Sequence, residues 1–296
     1  MKRTVGRLNT WGGLGDVILL TPAIHAWKEQ NPTGRLIVYS GTVAHREILL
    51  GNPFIDSLRL ITRLRTALCA FPSIRDKVMA APYGFVAPSL FNKQHATAFI
   101  GEFLGLKVAN TTPEIYLNAR EDAGARARLK SLRVPVAMHT IARCTENKLW
   151  PAERWAELVK RSPEYDFVQI GRPNEPLVPG AHDCRGLQLR ESFAIIKHSR
   201  AFVGVESAPM HAAAAFGVPA VALFGPGTPD VWGYPTAKNL YARLRCSPCI
   251  DTLLSGRCPY GRACMEAISV DAVEEALTDI LGGRSAARAP IAVPAR

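Results

Sequence analysis

A carboxylate follows a glycine-rich loop near the start of the chain. Gly13 and Gly15 come just before Asp16, and the loop lies between a predicted strand at 5–9 and a predicted helix at 16–30. Glycines let such a loop turn sharply and approach a ligand closely. Asp16 could accept a proton from a substrate hydroxyl as a general base. Capping of the helix explains the same residue equally well.

The same loop does not fit two common phosphate-binding patterns. The third glycine of a dinucleotide-binding fingerprint is replaced by Ile18, and the second predicted strand ends Tyr39-Ser40-Gly41 without an acid for a ribose. The Walker pattern is excluded as well, because no Gly-Lys-Ser/Thr follows the glycines. With both patterns excluded, the unusual feature of the loop is Asp16, a carboxylate at the start of a helix and the carboxyl end of a strand.

A second candidate is a lysine close to the start of a helix in the second half of the chain. Thr140 follows a predicted strand, and Lys148 comes shortly before Pro151, a residue suited to the first helical turn. A lysine, a threonine hydroxyl and free helix amides would stabilise the charge that builds up on a departing diphosphate. Taken alone, the sequence favours the alternative in which Trp150 and Trp155 pack the helix and Lys148 is solvated.

A third candidate is the turn Glu206-Ser207-Ala208, which joins a predicted strand at 201–205 to a helix starting near Pro209. The amino end of that helix could bind phosphate through its free amides, and Ser207 is a suitable cap for it. His211 follows on the same helix. A single helical histidine is more often structural than catalytic, so its role stays open at this point.

Four of the seven cysteines lie close together in the sequence: Cys246, Cys249, Cys258 and Cys264. Four thiolates could bind a zinc or iron ion in a tetrahedral site, and a close first pair is typical of such sites. The later spacings are wider than in common zinc modules. Reduced cysteines in a packed loop are an equally good explanation.

Apolar runs alternate with helical patterns along almost the whole chain, which predicts β-α-β units and parallel sheets. We predict an α/β fold of two domains, residues 1–133 and 134–283, followed by a disordered tail at 284–296. Ligands of such open sheets bind at the carboxyl ends of the strands, so the candidates should face one cleft. The predicted strands are 5–9, 36–40, 57–61, 77–81, 134–139, 166–170, 201–205 and 220–224, and the predicted helices are 16–30, 91–104, 270–281 and three that start near Pro151, Arg190 and Pro209.

The surface charge points to anionic ligands without selecting one. Lysine and arginine number 36 against 25 acidic residues, a formal charge of +11, which attracts phosphates or anionic lipid. A nucleic-acid partner is not expected, because no basic run with interleaved aromatics is present. No apolar run is long enough to cross a bilayer, and the first residues lack a signal-peptide hydrophobic region. We therefore expect a cytoplasmic protein, with a peripheral contact to the anionic inner membrane as an option.

In their order and spacing, the three segments resemble glycosyltransferase family nine, whose best-known members are the ADP-heptose:lipopolysaccharide heptosyltransferases. The resemblance covers nearly the whole chain and is carried by residues 13–23, 148–155 and 204–226, with the cysteine segment ending Cys264-Met265. It implies a GT-B fold, in which two Rossmann-like domains face a cleft. The first domain would bind the acceptor and the second the nucleotide sugar.

The resemblance also implies an activity. This is inverting transfer of a sugar, without a metal or other cofactor, from a nucleotide sugar, ADP-heptose first, to a saccharide or glycolipid acceptor in lipopolysaccharide or related glycan assembly. Asp16 matches the proposed catalytic base of the family. Some relatives that glycosylate autotransporter proteins carry a comparable cysteine-bound iron, which favours a structural metal at the four cysteines. The donor-binding positions of the family are matched by Gly13, Gly15, Thr140, Lys148, Glu206, Ser207, Ala208 and His211.

Two departures from the family pattern keep alternatives open. The usual Asp-Ser/Thr-Gly turn is here Glu206-Ser207-Ala208, and the longer acid and the added methyl narrow the approach of a phosphate. The first domain is also short for the family, which weakens the case for a lipopolysaccharide core acceptor. A protein-directed heptosyltransferase, a non-catalytic nucleotide-sugar-binding protein of this fold and an epimerase are the alternatives.

Overall fold

The first domain is built on a parallel sheet of short strands. The computed structural model describes residues 4–10, 12–61, 79–80, 94–249 and 256–282. The strands of this sheet are β1 (Val5–Asn9), β2 (Arg35–Ser40), β3 (Ser57–Leu60) and β4 (Met79–Ala80). They pair in the order β3-β2-β1-β4, and every pair is parallel. The strands predicted at 5–9, 36–40 and 57–61 are confirmed.

The helices of this domain differ from the prediction at one place. The single helix predicted at 16–30 is wrong, because the chain forms two helices that meet at Leu20. Pro22 has no N–H with which to continue the first helix, and the Thr21 hydroxyl instead donates to the carbonyl of Ile18 at 2.7 Å. The helices in the first half of the chain are α1 (Leu14–Leu19), α2 (Thr21–Gln30), α3 (Val43–Leu49), α4 (Ala96–Phe103) and α5 (Ala119–Leu129).

Three predictions reach beyond the residues that the structure describes. The strand predicted at 77–81 is described only at 79–80, where it is present. The helix predicted at 91–104 is present from Ala96, and residues 91–93 lie outside the described ranges. The predicted tail at 284–296 lies outside them entirely.

The second domain contains a six-stranded parallel sheet. Its strands are β5 (Pro135–His139), β6 (Asp166–Gly171), β7 (His182–Arg185), β8 (Ala201–Val205), β9 (Ala220–Phe224) and β10 (Ala237–Tyr241). They pair in the order β10-β9-β8-β5-β6-β7. Strands β5, β8 and β9 are buried along their whole length, as expected for apolar strands covered on both faces. The four strands predicted in this half are confirmed, whereas β7 and β10 were not predicted.

Helices cover both faces of the second sheet, and the predicted helix starts near Pro151, Arg190 and Pro209 are confirmed. None of the helices in the described ranges combines the length and apolar character that crossing a bilayer requires. The helices are α6 (Ala152–Arg161), α7 (Leu189–His198), α8 (Ala208–Ala215), α9 (Pro229–Trp232), α10 (Ala263–Glu266) and α11 (Val270–Gly282).

The two domains meet where α1 packs against α8. Buried Ile18 of α1 and Met210 of α8 belong to one hydrophobic cluster that continues through both domains. Gly15 allows this close approach, because a Cβ atom there would lie 3.0 Å from Cδ2 of His211 and 3.8 Å from Cα of Ala208. The start of α1 and the start of α8 therefore face each other across the interface.

Arg190 of α7 joins the domains through buried hydrogen bonds. Its Nε and Nη2 donate to the two carboxylate oxygens of Glu121 in α5 at 2.6 and 2.9 Å. Its Nη1 donates to the carbonyl of Glu47 in α3 at 2.7 Å, and its Nη2 also donates to the carbonyl of Tyr116 at 2.6 Å. A planar guanidinium makes all these bonds at once, which a lysine ammonium could not.

We expect Arg190→Met to lower the free energy of unfolding by about 2 kcal/mol, because it removes several charge-assisted hydrogen bonds of a buried guanidinium. Chemical denaturation followed by tryptophan fluorescence measures the change. Arg161→Met is the control. Arg161 is exposed and pairs with Asp271 and Glu274 at the surface, where ion pairs contribute little. Equal losses in the two variants would contradict the buried role of Arg190.

Candidate functional site

Two neighbouring strands of the second sheet end at the candidate site. His139 at the end of β5 is paired with Gly204 in β8. Thr140 and Glu206, which follow these strands, therefore lie at one edge of the sheet, and both are buried. The Gly15 loop of the first domain approaches the start of α8 from the other side. The structure thus brings the three sequence segments together at the domain interface.

Lys148 and Glu206 form a buried ion pair. Lys148 lies in a short 3-10 turn, and its ammonium nitrogen contacts Oε2 of Glu206. Burial alone would lower the pKa of Lys148, but the Glu206 carboxylate and the Cys144 thiol outweigh burial and raise that pKa. The alternative in which Lys148 is solvated is therefore wrong. Trp150 and Trp155 do pack edge to face, with ring centroids 4.8 Å apart.

Asp16 approaches the same ion pair from the first domain. Its Oδ2 accepts a hydrogen bond from the Gly13 amide at 2.6 Å. Asp16 therefore caps α1, which is one of the two roles that the sequence suggested for it. Burial raises the pKa of Asp16 to about 6; the Gly13 bond opposes the rise, Glu206 adds to it and Lys148 reduces it. A carboxylate with a pKa in this range is suited to general-base catalysis near neutral pH. Capping and catalysis do not exclude each other here.

His211 lies in α8 at the contact with α1. Its Nδ1 is 2.8 Å from the hydroxyl of Tyr234. Burial, with smaller contributions from His95 and Lys148, lowers the pKa of His211 to about 3. The imidazole is therefore neutral at ordinary pH. Its other edge faces the first domain, since a Cβ atom on Gly15 would lie 3.4 Å from Nε2.

Ser207 occupies the N-cap position of α8 but its side chain does not cap the helix. Its hydroxyl donates to the carbonyl of Val205 at 2.9 Å and lies 3.1 Å from Nδ1 of His139. The prediction that Ser207 caps α8 is therefore wrong, because groups at the strand end bind the hydroxyl. The first amides of α8, at Ala208, are left without a side-chain cap and can serve a ligand.

Glu175 was missed by the sequence analysis and lies at the same sheet edge. It follows β6, the neighbour of β5, and its Oε2 is buried without a hydrogen-bond partner in the described part of the chain. Burial raises the pKa of this carboxyl. Gly171, at φ +148°, provides the space, because a Cβ atom there would overlap Oε2 of Glu175. A glycine that ends a strand shortly before an acid was the available signal.

The four cysteines influence one another, but among the described residues no group of three or more His, Cys, Asp or Glu side chains is placed as metal ligands. The pKa of Cys249 rises to about 11, first through burial and then through Cys264, Cys258 and Cys246. A soft cation would favour the thiolate forms that this environment opposes. The chemistry of the four side chains fits zinc or iron, and the metal stays a prediction.

Comparisons with known proteins give a family match and shared folds. Residues 180–255 match a family model described as Glycosyltransferase family 9 (heptosyltransferase). A family 9 glycosyl transferase from Veillonella parvula is 21% identical, with a TM-score of 0.71 over 95% of this chain and 97% of that one. The E. coli ADP-heptose lipopolysaccharide heptosyltransferase II is 16% identical, with a TM-score of 0.67 over 96% of this chain and 100% of that one.

A third solved structure is an iron-containing dodecameric glycosyltransferase, TibC from enterotoxigenic E. coli. It is 18% identical, with a TM-score of 0.72 over 95% of this chain and 77% of that one. A search of curated proteins gave no match. The comparisons confirm the resemblance to family nine and the GT-B fold that the sequence predicted. The matched segment contains Glu206, Ser207, Ala208 and His211.

Proposed function

We propose that this chain, a glycosyltransferase by its family match and fold, transfers heptose from ADP-heptose to a saccharide acceptor in lipopolysaccharide or related glycan assembly. The observation that supports this most directly is that the charges of Glu206 and Lys148, which form an ion pair, act on the pKa of Asp16 from the other domain. A base and a cation thereby face one another in the cleft. The predicted cytoplasmic location, with a peripheral contact to an anionic membrane, stays a prediction.

In this proposal Asp16 is the general base. It takes the proton of the acceptor hydroxyl while the hydroxyl oxygen attacks the anomeric carbon of the donor. The bond from that carbon to the diphosphate oxygen breaks, its electron pair leaves with the nucleoside diphosphate, and the configuration inverts. Gly13 and Gly15 keep the loop free of side chains where the acceptor and donor meet. The scheme uses no metal, as the resemblance to family nine implies.

Lys148 stabilises the leaving diphosphate. The Glu206 carboxylate keeps Lys148 protonated and holds its ammonium group at the sheet edge. The cation is therefore in place before charge develops on the leaving group, which is the condition for electrostatic catalysis. The Thr140 hydroxyl and the amide of Ala208 at the start of α8 supply further donors. The extra methyl of Ala208 leaves less room for a phosphate than the usual glycine.

Glu175 is the group we assign to the ribose of the donor. Ribose hydroxyls can donate to one carboxylate, as acids at strand ends do in nucleotide-binding folds, and Oε2 of Glu175 is buried without a protein partner among the described residues. Leaving such an oxygen buried without a donor is costly, and a bound ribose would remove that cost. ADP, UDP and GDP sugars all carry a ribose, so Glu175 does not select among these bases.

A donor and acceptor panel tests the proposed function. Binding of ADP, ADP-heptose and UDP-glucose is measured by calorimetry, and ADP release is measured with and without a lipopolysaccharide core saccharide or an autotransporter peptide. We expect ADP-heptose to bind and ADP release to require a saccharide acceptor. Binding without release favours a non-catalytic binding protein, product formation without an acceptor favours an epimerase, and release with the peptide alone favours a protein-directed enzyme. No binding of any nucleotide sugar overturns the proposal.

A structural zinc or iron at Cys246, Cys249, Cys258 and Cys264 is a separate part of the proposal, supported by the TibC structure, which is described as iron-containing. Elemental analysis of protein purified under reducing conditions should give about one equivalent of metal. Removal by a chelator should lower the melting temperature, because metal binding stabilises only the folded state. Cys249→Ala should lose the metal, and Cys184→Ala should keep it. Protein with almost no zinc or iron would contradict the site.

A further inference from the structure

Tyr234 lies between two histidines where the domains meet. Its hydroxyl is 2.8 Å from Nδ1 of His211 in the second domain. His95 of the first domain approaches its ring, with centroids 5.4 Å apart. Nδ1 of His95 accepts from the amide of Thr97 at 3.3 Å, and the backbone of Gly233 also acts on this ring. The Tyr234 hydroxyl is therefore bonded to His211 and not to His95.

The direction of the bond between Tyr234 and His211 follows from their protonation states. Burial, and then the Glu206 carboxylate, raise the pKa of Tyr234 well above its ordinary value, so the phenol keeps its hydrogen and can donate it. Burial lowers the pKa of His211 to about 3, so only one ring nitrogen carries a hydrogen. If Nδ1 accepts from the phenol, that hydrogen is on Nε2. The reverse bond would leave the phenol hydrogen buried without this acceptor, which is costly.

The Nε2 edge of His211 faces the glycine loop of the first domain. A Cβ atom on Gly15 would lie 3.4 Å from Nε2 and 3.8 Å from Cα of Ala208, the first residue of α8. Nε2 thus faces the narrow space between the glycine loop and the helix start. Lys148 is one of the charged groups that lower the pKa of His211, so the ring lies within electrostatic range of the cation assigned to the diphosphate.

We propose that Tyr234 is a positioning residue that fixes His211 as the Nε2–H tautomer and so provides a neutral hydrogen-bond donor beside Lys148. The tautomer is a property of the protein without ligands. Donation from Nε2 to the leaving diphosphate rests on the proposed function. A neutral donor adds a hydrogen bond without burying a second positive charge next to Lys148, where two cations would repel each other. His95 supports the Tyr234 ring from the opposite domain.

Nitrogen NMR of protein labelled with ¹⁵N-histidine tests the tautomer directly, because protonated and unprotonated ring nitrogens resonate far apart. His211→Gln assigns the signals by their loss. We expect His211 of the wild type to show an unprotonated Nδ1 and a protonated Nε2 at neutral pH. In Tyr234→Phe, the Nδ1 signal should shift or the two tautomers should mix. A protonated Nδ1 in the wild type, or no change in Tyr234→Phe, would overturn the proposal.

Kinetics test whether the tautomer serves transfer. Tyr234→Phe should lower kcat about tenfold, the usual size of an effect that acts through another group, and should change the donor KM less, because the diphosphate gains charge in the transition state. A glutamine at position 211 can donate through its amide group, which has no tautomers for Tyr234 to select. In the His211→Gln variant, Tyr234→Phe should therefore have almost no further effect on kcat. Tyr165→Phe is the control, since that ring packs on Phe167 at 6.2 Å away from the cleft.

Two outcomes separate this inference from the proposed function. The first is that Tyr234→Phe lowers kcat equally in the wild type and in the His211→Gln variant. Equal losses would show that Tyr234 does not act through His211, which overturns the inference. The expected Nε2–H tautomer in a protein that transfers no sugar would refute the proposed function and leave the tautomer assignment standing.

Discussion

Asp16→Asn should abolish most sugar transfer while making the protein more stable at neutral pH. Loss of a general base costs about 10²- to 10⁴-fold in rate, and Asn keeps an oxygen that can accept from the Gly13 amide. Burial raises the pKa of Asp16 from 3.8 to about 6, so the charged form is disfavoured in the folded protein. A difference of about two pH units corresponds to up to about 3 kcal/mol. Initial rates and chemical denaturation of both proteins measure the two effects.

The pH dependence has a definite sign. Because the folded-state pKa is above the unfolded one, the folded protein holds this proton more tightly. Stability is greatest below pH 3.8, as far as Asp16 is concerned, and is lost as the pH rises through about 6. The activity has the opposite trend, since only the ionised carboxylate is a base. We expect kcat/KM of the wild type to fall about tenfold per pH unit below about 6.

A matched surface aspartate controls for the general effect of the substitution. Asp279 pairs with Lys238 at the exposed surface, so Asp279→Asn removes a carboxylate that has no part in the site. We expect unchanged transfer and no gain in stability from that variant. Wild-type rates in Asp16→Asn would remove Asp16 from the mechanism. Loss of transfer together with loss of stability would show a structural defect instead.

Lys148→Met should have the second large effect, on both stability and transfer. The substitution leaves the buried Glu206 carboxylate without its cation, and breaking a buried pair from one side costs about 3 to 5 kcal/mol. It also removes the charge that stabilises the leaving diphosphate, so kcat should fall by about 10²- to 10³-fold. Chemical denaturation and initial rates with saturating donor measure the two losses.

The double variant Lys148→Met/Glu206→Gln separates the two roles of Lys148. Replacing Glu206 by a neutral side chain removes the buried charge, so most of the lost stability should return, while transfer should stay as low as in the single variant. Lys238→Met serves as the control, because Lys238 pairs with Asp279 at the exposed surface. Recovery of transfer in the double variant would show that Lys148 only compensates the charge of Glu206.

The parts of the fold that the sequence predicted share one property. Strands β5, β8 and β9 are continuous apolar runs buried on both faces, and burial of that kind leaves a local pattern. The edge strands β7 and β10 carry the polar sequences HDCR and AKNLY. They are strands because a neighbour offers hydrogen bonds, which a local pattern does not contain. The break between α1 and α2 could have been predicted from Pro22.

The sequence predicted which loops form the site, but not which side chains pair with one another there. Glycines, a proline at a helix start and an aspartate after a strand pointed to the three segments. The ion pair between Lys148 and Glu206 joins residues on different loops, and a local pattern does not contain such a pairing. Tyr234 and Glu175 follow no motif, and the strand neighbours that position their segments are set by the sheet order, which a local pattern does not contain. The Ser207 hydroxyl was misassigned because its acceptor is determined by strand packing.

The bonds of Arg190 also constrain how the cleft can open. They tie α7 to α3, to α5 and to the backbone at Tyr116, all on one flank of the interface. If these bonds persist, the halves cannot separate by translation. They can only rotate about an axis that passes near Arg190, so the greatest displacement falls at the points most distant from it. The product would then leave from the part of the cleft most distant from the Arg190 guanidinium.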